Sequence, residues 1–222
     1  MAQLSFLTFL LTWRFLIVQL LANTDENLIL YCDFTDASLV CKGSESTLKN
    51  QGGAVPCPDR CGKIDASFCF AGNQTLWLSN SPHPKSPHDK YTYTAWVRAN
   101  GNTTNPYGTI ISAGTHEIAK MSSFMVHPAN HFGYDYTLSF DGFNTMWASD
   151  YHLSTDVWIH VAVTREINTI SLSVNGQQVS VGQLNQWEIT IEDTAFYIGS
   201  IFQKNTWWEG AIDDIRVYDD VL

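Results

Sequence analysis

The sequence predicts an all-β fold, a two-sheet antiparallel jelly-roll sandwich, on three observations. About a dozen short apolar or alternating segments recur along the chain, turn-forming residues separate them roughly every eight to twelve positions, and no stretch keeps a helical period over three turns. A chain of 222 residues is long enough for one large β domain and short for two. One domain is the default.

Each element has its own signal. Leu-Ile-Leu-Tyr-Cys-Asp-Phe34, beginning at Leu28, is a short buried strand after a polar lead. Residues 35–65 hold Gly52-Gly53, Pro56 and Pro58 among several cysteines and keep neither period, so they read as a Cys-rich loop. Phe68-Cys-Phe70 and Thr75-Leu-Trp-Leu78, joined by Ala-Gly-Asn-Gln, read as a hairpin or bulged pair. Pro82, Pro84 and Pro87 break the chain again. Lys90 to Arg98 alternates, with Thr92, Thr94 and Trp96 against Tyr91, Tyr93, Ala95 and Val97.

Thr109 to Ala113 is another strand, and Tyr134 to Phe140 pairs with Thr145 to Ala148 through Asp141-Gly-Phe-Asn144. Trp158 to Thr164 follows. Thr169 to Val174 leads through Asn175-Gly176 into Gln177 to Val181, and Asn-Gly between strands is the strongest short hairpin signal. Phe196-Tyr-Ile198 precedes a closing strand in Trp208 to Leu222, where strict alternation puts Ile212, Asp214, Arg216 and Tyr218 on one face and Asp213, Ile215 and Val217 on the other. The tryptophans at 77, 96, 147, 158, 187, 207 and 208 read mostly as core fillers.

Composition narrows the classes of partner. Residues 1–22 are almost wholly apolar and read as a cleaved secretory signal, residues 23–27 as a short linker, and residues 28–222 as the domain. A spanning helix is the rival, and Arg14 inside the apolar run costs it at least about 2.5 kcal/mol. Cleavage removes Arg14 from the 12 basic residues and none of the 22 acidic ones, taking the net charge from −10 to −11. That balance excludes nucleic acid and anionic membrane as partners and suits a cation such as calcium.

Five cysteines, Cys32, Cys41, Cys57, Cys61 and Cys69, follow the export segment and read as disulfides with one thiol left over, the pairing open. The spacing Cys57-Pro-Asp-Arg-Cys61 also suits zinc, a rival that an oxidising compartment disfavours. Asn73-Gln-Thr75 and Asn102-Thr-Thr104 are glycosylation acceptors that fit export, at Asn73 and Asn102.

Taken in order, Tyr93-Thr-Ala-Trp-Val97, Trp158-Ile-His-Val-Ala-Val-Thr164, Leu172-Ser-Val-Asn-Gly176, Phe196-Tyr-Ile-Gly199 and Gly210-Ala-Ile-Asp-Asp-Ile-Arg-Val-Tyr218 resemble the laminin-G-like jelly roll of the concanavalin A-like lectin/glucanase superfamily. The resemblance covers about Leu28 to Leu222 and implies two curved sheets packed face to face. It does not imply one function, since relatives serve as lectins, matrix adhesion modules and accessory domains of enzymes. The segment Met121 to Phe132 has no counterpart in that pattern.

The resemblance also implies a calcium ion where the first and last strands meet, held here by Asp33 with Asp213 and Asp214, only one of the last two facing it. Glucan-cleaving relatives carry two glutamates flanking an aspartate on one strand. Glu188-Ile-Thr-Ile-Glu192 has threonine where that aspartate belongs, so the chain reads as no enzyme. His160 reads as a packed histidine, and Pro128 between His127 and His131 removes a helical metal pair. Carbohydrate binding needs exposed aromatics beside polar groups, and Tyr107, Tyr134, Trp147, Tyr151, Trp187 and Trp207 are the candidates. The expected function is a secreted binding module for a glycan or an extracellular-matrix protein, with a structural role in an acidic, mineral-associated matrix as the alternative.

Overall fold

A computed structural model describes residues 26–44, 47–79, 90–101, 108–114, 121–128, 136–142, 145–183, 195–200 and 206–222, and of 114, 121–123, 125–128, 136–142 and 145–150 the backbone alone. The described strands are β1 (Leu28–Cys32), β2 (Lys49–Gln51), β3 (Val55–Cys57), β4 (Ser67–Ala71), β5 (Thr75–Leu78), β6 (Lys90–Ala99), β7 (Gly108–Gly114), β8 (Met121–Pro128), β9 (Tyr136–Gly142), β10 (Thr145–Leu153), β11 (Ile159–Glu166), β12 (Thr169–Val174), β13 (Gln177–Gln183), β14 (Phe196–Ile198) and β15 (Glu209–Tyr218). They form the two antiparallel sheets of a jelly roll. The first runs β13-β12-β11-β6-β15-β4-β3, with β1 also on β15, and the second runs β10-β9-β8-β7-β14-β5-β2.

Alternation decides what each strand buries. Tyr93, Ala95 and Val97 on β6, Val161 and Val163 on β11 and Ile170 and Leu172 on β12 join Leu76, Leu78, Ile111, Phe124, Phe196 and Ile198 of the second sheet in one core. Each such aliphatic or aromatic side chain contributes roughly 1.5–3 kcal/mol by leaving water. Phe34 meets Phe68 edge to face at 5.1 Å, which seats the segment after β1 on that core. Trp208, immediately before β15, is 2 % exposed, a core residue as expected.

Four local expectations change. β4 and β5 are not a hairpin: β4 pairs with β15 and β3 in the first sheet, β5 with β14 and β2 in the second, so Ala71 to Gln74 carries the chain between sheets. Two short strands, β2 and β3, lie inside the Cys-rich segment, and Pro56 is tolerated because β3 ends its sheet. Residues 121–128, without a counterpart in the family pattern, form β8 between β7 and β9. β10 runs on to Leu153 through a register shift between Ala148 and His152.

The Asn175-Gly176 turn does join β12 to β13, both residues at positive φ, as a two-residue hairpin of this hand requires. Cys32 pairs with Cys41 and Cys57 with Cys69, leaving Cys61 as an exposed thiol. The 57–69 bridge commits Cys57 to sulfur, which removes the zinc reading of Cys57 and Cys61. A link closing about a dozen residues contributes about 3 kcal/mol by restricting the unfolded chain.

Candidate functional site

Two solvent-side clusters gather the chemistry of the described residues, one on each sheet. The first lies where β15 departs from regular alternation. Ile212 pairs with Val97, Asp213 with Trp96 and Arg216 with Thr94, so β15 spends one residue more than β6, and Asp214 sits at φ 49°. This is a β-bulge. It keeps Ile212, Ile215 and Val217 all buried in the core, and it corrects the strict two-face reading of the strand.

The bulge also turns both carboxylates toward one partner. Arg60, from the loop closed by Cys57–Cys69, donates from Nη1 to Asp213 Oδ2 at 3.0 Å and from Nη2 to Asp214 Oδ2 at 3.3 Å. Arg216 Nε donates to Asp214 Oδ1 at 2.9 Å, and the Asp214 backbone N–H donates to Asp213 Oδ1 at 2.7 Å. The Arg60 guanidinium lies 4.7 Å above the Trp96 ring, and the His160 ring is 5.3 Å from the same indole. Burial pushes the His160 imidazole below the ordinary histidine range, which favours its neutral form and a packing role.

Asp33, Asp213 and Asp214 do not fit a calcium ion here. Asp33 Oδ1 accepts from Thr35 N at 3.1 Å and shapes the turn after β1, while a guanidinium already fills the space between the other two carboxylates. Among the described residues no group of three or more histidine, cysteine or acidic side chains could hold a metal. Calcium or a chelator is therefore expected to leave the melting midpoint unmoved. A drop in midpoint on chelation would overturn that expectation.

Asp213 is the one carboxylate here with a strongly displaced titration. Its side chain is 4 % exposed, and burial pushes it from 3.8 up to about 7, the nearby Asp214 carboxylate adding to the rise and Arg60 opposing it. The folded state thus holds this proton more tightly than the unfolded chain does, so the group's contribution to stability is full below 3.8 and is lost as pH rises through about 7. Asp213→Asn removes the titration. The stability of the parent relative to this variant should rise as pH falls from 8 to 5, read from paired urea melts; a difference that stays flat would contradict the assignment.

The second cluster is on the outer side of the second sheet. Leu76 and Leu78 point into the core, so Trp77 between them faces out, which corrects its reading as a core filler. Strand order places Trp77 between Tyr197 on β14 and Lys49 on β2. The Tyr197 ring lies beside the indole at 6.3 Å and 23°, and the Lys49 ammonium is 4.2 Å from the indole centroid. Tyr197 is 5 % exposed, Trp77 is half-buried and Lys49 is exposed. Trp96 and Trp158 face out on the first sheet in the same manner, under Arg60 and Arg98.

The sequence candidates divide accordingly. Tyr107, Tyr134, Trp187 and the acceptor Asn102 lie outside the described residues, as do Glu188 and Glu192, and Trp147 on β10 is described by its backbone alone. Tyr151 packs against the core and Trp207 is half-buried beside the buried Trp208. Asn73 is exposed in the crossing between β4 and β5. Trp77 and Tyr197 were the aromatics the sequence candidates missed, although the Leu-Trp-Leu alternation places Trp77 opposite two leucines.

Comparison with known proteins agrees with this architecture. A laminin-G family model, described as the concanavalin A-like lectin/glucanases superfamily, matches residues 71–222. No curated protein matches in sequence. Among solved structures, domain 4 of AbnA, an extracellular GH43 arabinanase from Geobacillus stearothermophilus in complex with arabinotriose, is similar with a TM-score of 0.67 at 17 % identity over 88 % of this chain and 94 % of that one. A botulinum neurotoxin type C structure, whose cell entry depends on two ganglioside molecules, gives 0.65 at 13 % identity over 91 % of this chain and 50 % of that one. The binding domain of serotype G gives 0.63 at 15 % over 88 % and 48 %. This chain thus spans about half of the neurotoxin chains. With the family match over more than half its length, two antiparallel sheets and the closing strand at residues 209–218, the chain belongs to the laminin-G-like family of the concanavalin A-like lectin/glucanase superfamily.

Proposed function

We propose that the protein is a secreted, non-catalytic module that binds glycan through Trp77 on the outer side of the second sheet. The observation that carries this reading is the Lys49–Trp77–Tyr197 row. A buried Tyr197 lies on one side of a half-buried indole, and among the described residues a single flexible side chain, that of Lys49, lies over the other. An indole face held rigid in this way suits the C–H face of a sugar ring, which stacks on aromatics while polar groups take its hydroxyls. The similarity of fold to a domain in complex with arabinotriose, and to a neurotoxin whose cell entry depends on interaction with two ganglioside molecules, supports the same class of ligand.

Trp96 suits this role less well, because Arg60 is pinned over it by two carboxylates. Those carboxylates are in turn occupied by arginines, which leaves them poorly placed for acid–base work. Export rests on the apolar segment at residues 1–22, and the exposed Asn73 acceptor is consistent with it.

Trp77→Ala should weaken binding of the best ligand on a glycan array at least about tenfold, the scale of one aromatic anchor, with the melt otherwise preserved. If the parent protein binds no glycan on a broad array, the proposal fails.

A further inference from the structure

We infer that the sugar taken at Trp77 carries a negative charge, and that Lys49 selects for it. The inference rests on the glycan-binding reading above. At 4.2 Å from the indole centroid the Lys49 ammonium occupies the distance at which a stacked sugar face would lie. Tyr197, on the strand at the other side of β5, lies nearly parallel to the indole at 6.3 Å. A sugar stacking on the face that Lys49 covers therefore displaces the ammonium, and β2 ends its sheet, so among the described strands none lies beyond it to block the displaced side chain.

The two kinds of sugar then differ in outcome. A neutral ring costs the cation its contact with the indole and returns little. An anionic ring returns an ion pair with a charge-assisted hydrogen bond, which is stronger than an exposed cation–π contact. Lys49 is available for this. Arg60, Lys63, Lys90 and Arg216 each have a carboxylate within ion-pair distance, whereas Lys49 has none among the described residues. The formal charge of −10 opposes an anion at long range, so the selection acts at contact and not by steering.

Four probes test this by calorimetry on the full chain: trigalacturonic acid against galactotriose for a carboxylate, and sulfated lactose against lactose for a sulfate. One acidic member should bind about tenfold more tightly than its neutral partner, and which pair shows the difference identifies the anion. Lys49→Met should weaken the acidic member about tenfold and tighten the neutral one about two- to fivefold, since no cation then has to leave the ring. Lys49 is exposed, so the variant is expected to fold, and a melt verifies it. Equal affinities within both pairs, or a preference that survives Lys49→Met, overturn the inference and leave glycan binding standing. Absence of binding by all four and across the array overturns both. A preference that survives Trp77→Ala overturns the assignment of the site.

Discussion

Arg60→Met is expected to lower stability by about 2 kcal/mol at pH 8, less than losing one partner from a fully buried ion pair, because the Asp213 side chain is 4 % exposed but that of Arg60 is 32 % exposed. Arg60 bonds two carboxylates at 3.0 and 3.3 Å and covers Trp96, and the Asp213 side chain, 4 % exposed, has little water through which to recover its solvation. Methionine keeps the apolar stem and loses only the fork. The loss should shrink at pH 5, because Asp213, pushed up to about 7 by burial, then carries its own proton and needs the guanidinium less. Arg60→Lys should recover part of the loss, since one ammonium cannot match both carboxylates in the geometry of a guanidinium. Urea melts with an unchanged slope would measure these differences. A cost equal at both pH values would show that packing on Trp96, and not charge, is what Arg60 supplies.

Gly210→Ala is expected to cost about 3 kcal/mol or more. Gly210 sits at φ 144°, and a Cβ there would lie 2.1 Å from the Arg98 carbonyl oxygen and 3.1 Å from Ala99 Cα. Both obstacles are backbone of β6, paired with β15 at this point, so neither can swing aside. Gly176 is the control: its φ is 77° and nothing lies within 4 Å of an added Cβ, so Gly176→Ala meets backbone strain alone, about 1 kcal/mol. For a chain of this size the first change should lower the melting midpoint by roughly 6–12 °C and the second by a few degrees. Equal shifts would show that contact with β6 is not the cause.

These two positions show what alternation and turn chemistry make legible. The strands at 90–99, 159–166 and 169–174 follow from patterns of two, and the Asn-Gly hairpin follows from its turn. β2 escapes because Lys49-Asn-Gln51 is polar throughout, an exposed strand at the end of a sheet that buries nothing. β8 escapes because Met121-Ser-Ser-Phe-Met-Val-His-Pro128 does not alternate cleanly. The acidic pair was found, but its chemistry was not, since a one-residue bulge re-aims Asp214 and its partner Arg60 lies 153 residues from Asp213. Long-range pairing of this kind leaves no local pattern. Trp77 was visible in Leu-Trp-Leu, whereas the cation above it depends on which strand ends the sheet.

β15 has one further consequence, for the order of assembly. Its Glu209–Ile212 half pairs with β4 and its Ile215–Tyr218 half with β1, while β6 lies along the other side. Three strands made early in synthesis thus share a single late neighbour. Until residues 209–218 have left the ribosome, β1 and β4 have no strand to join them to β6, and apolar faces such as Leu30 and Phe68 stay uncovered. Closure of the first sheet is accordingly a late and slow step, governed by contacts far apart in sequence, and chain truncated before β15 is expected to be held by chaperones or to aggregate rather than to form half a sandwich.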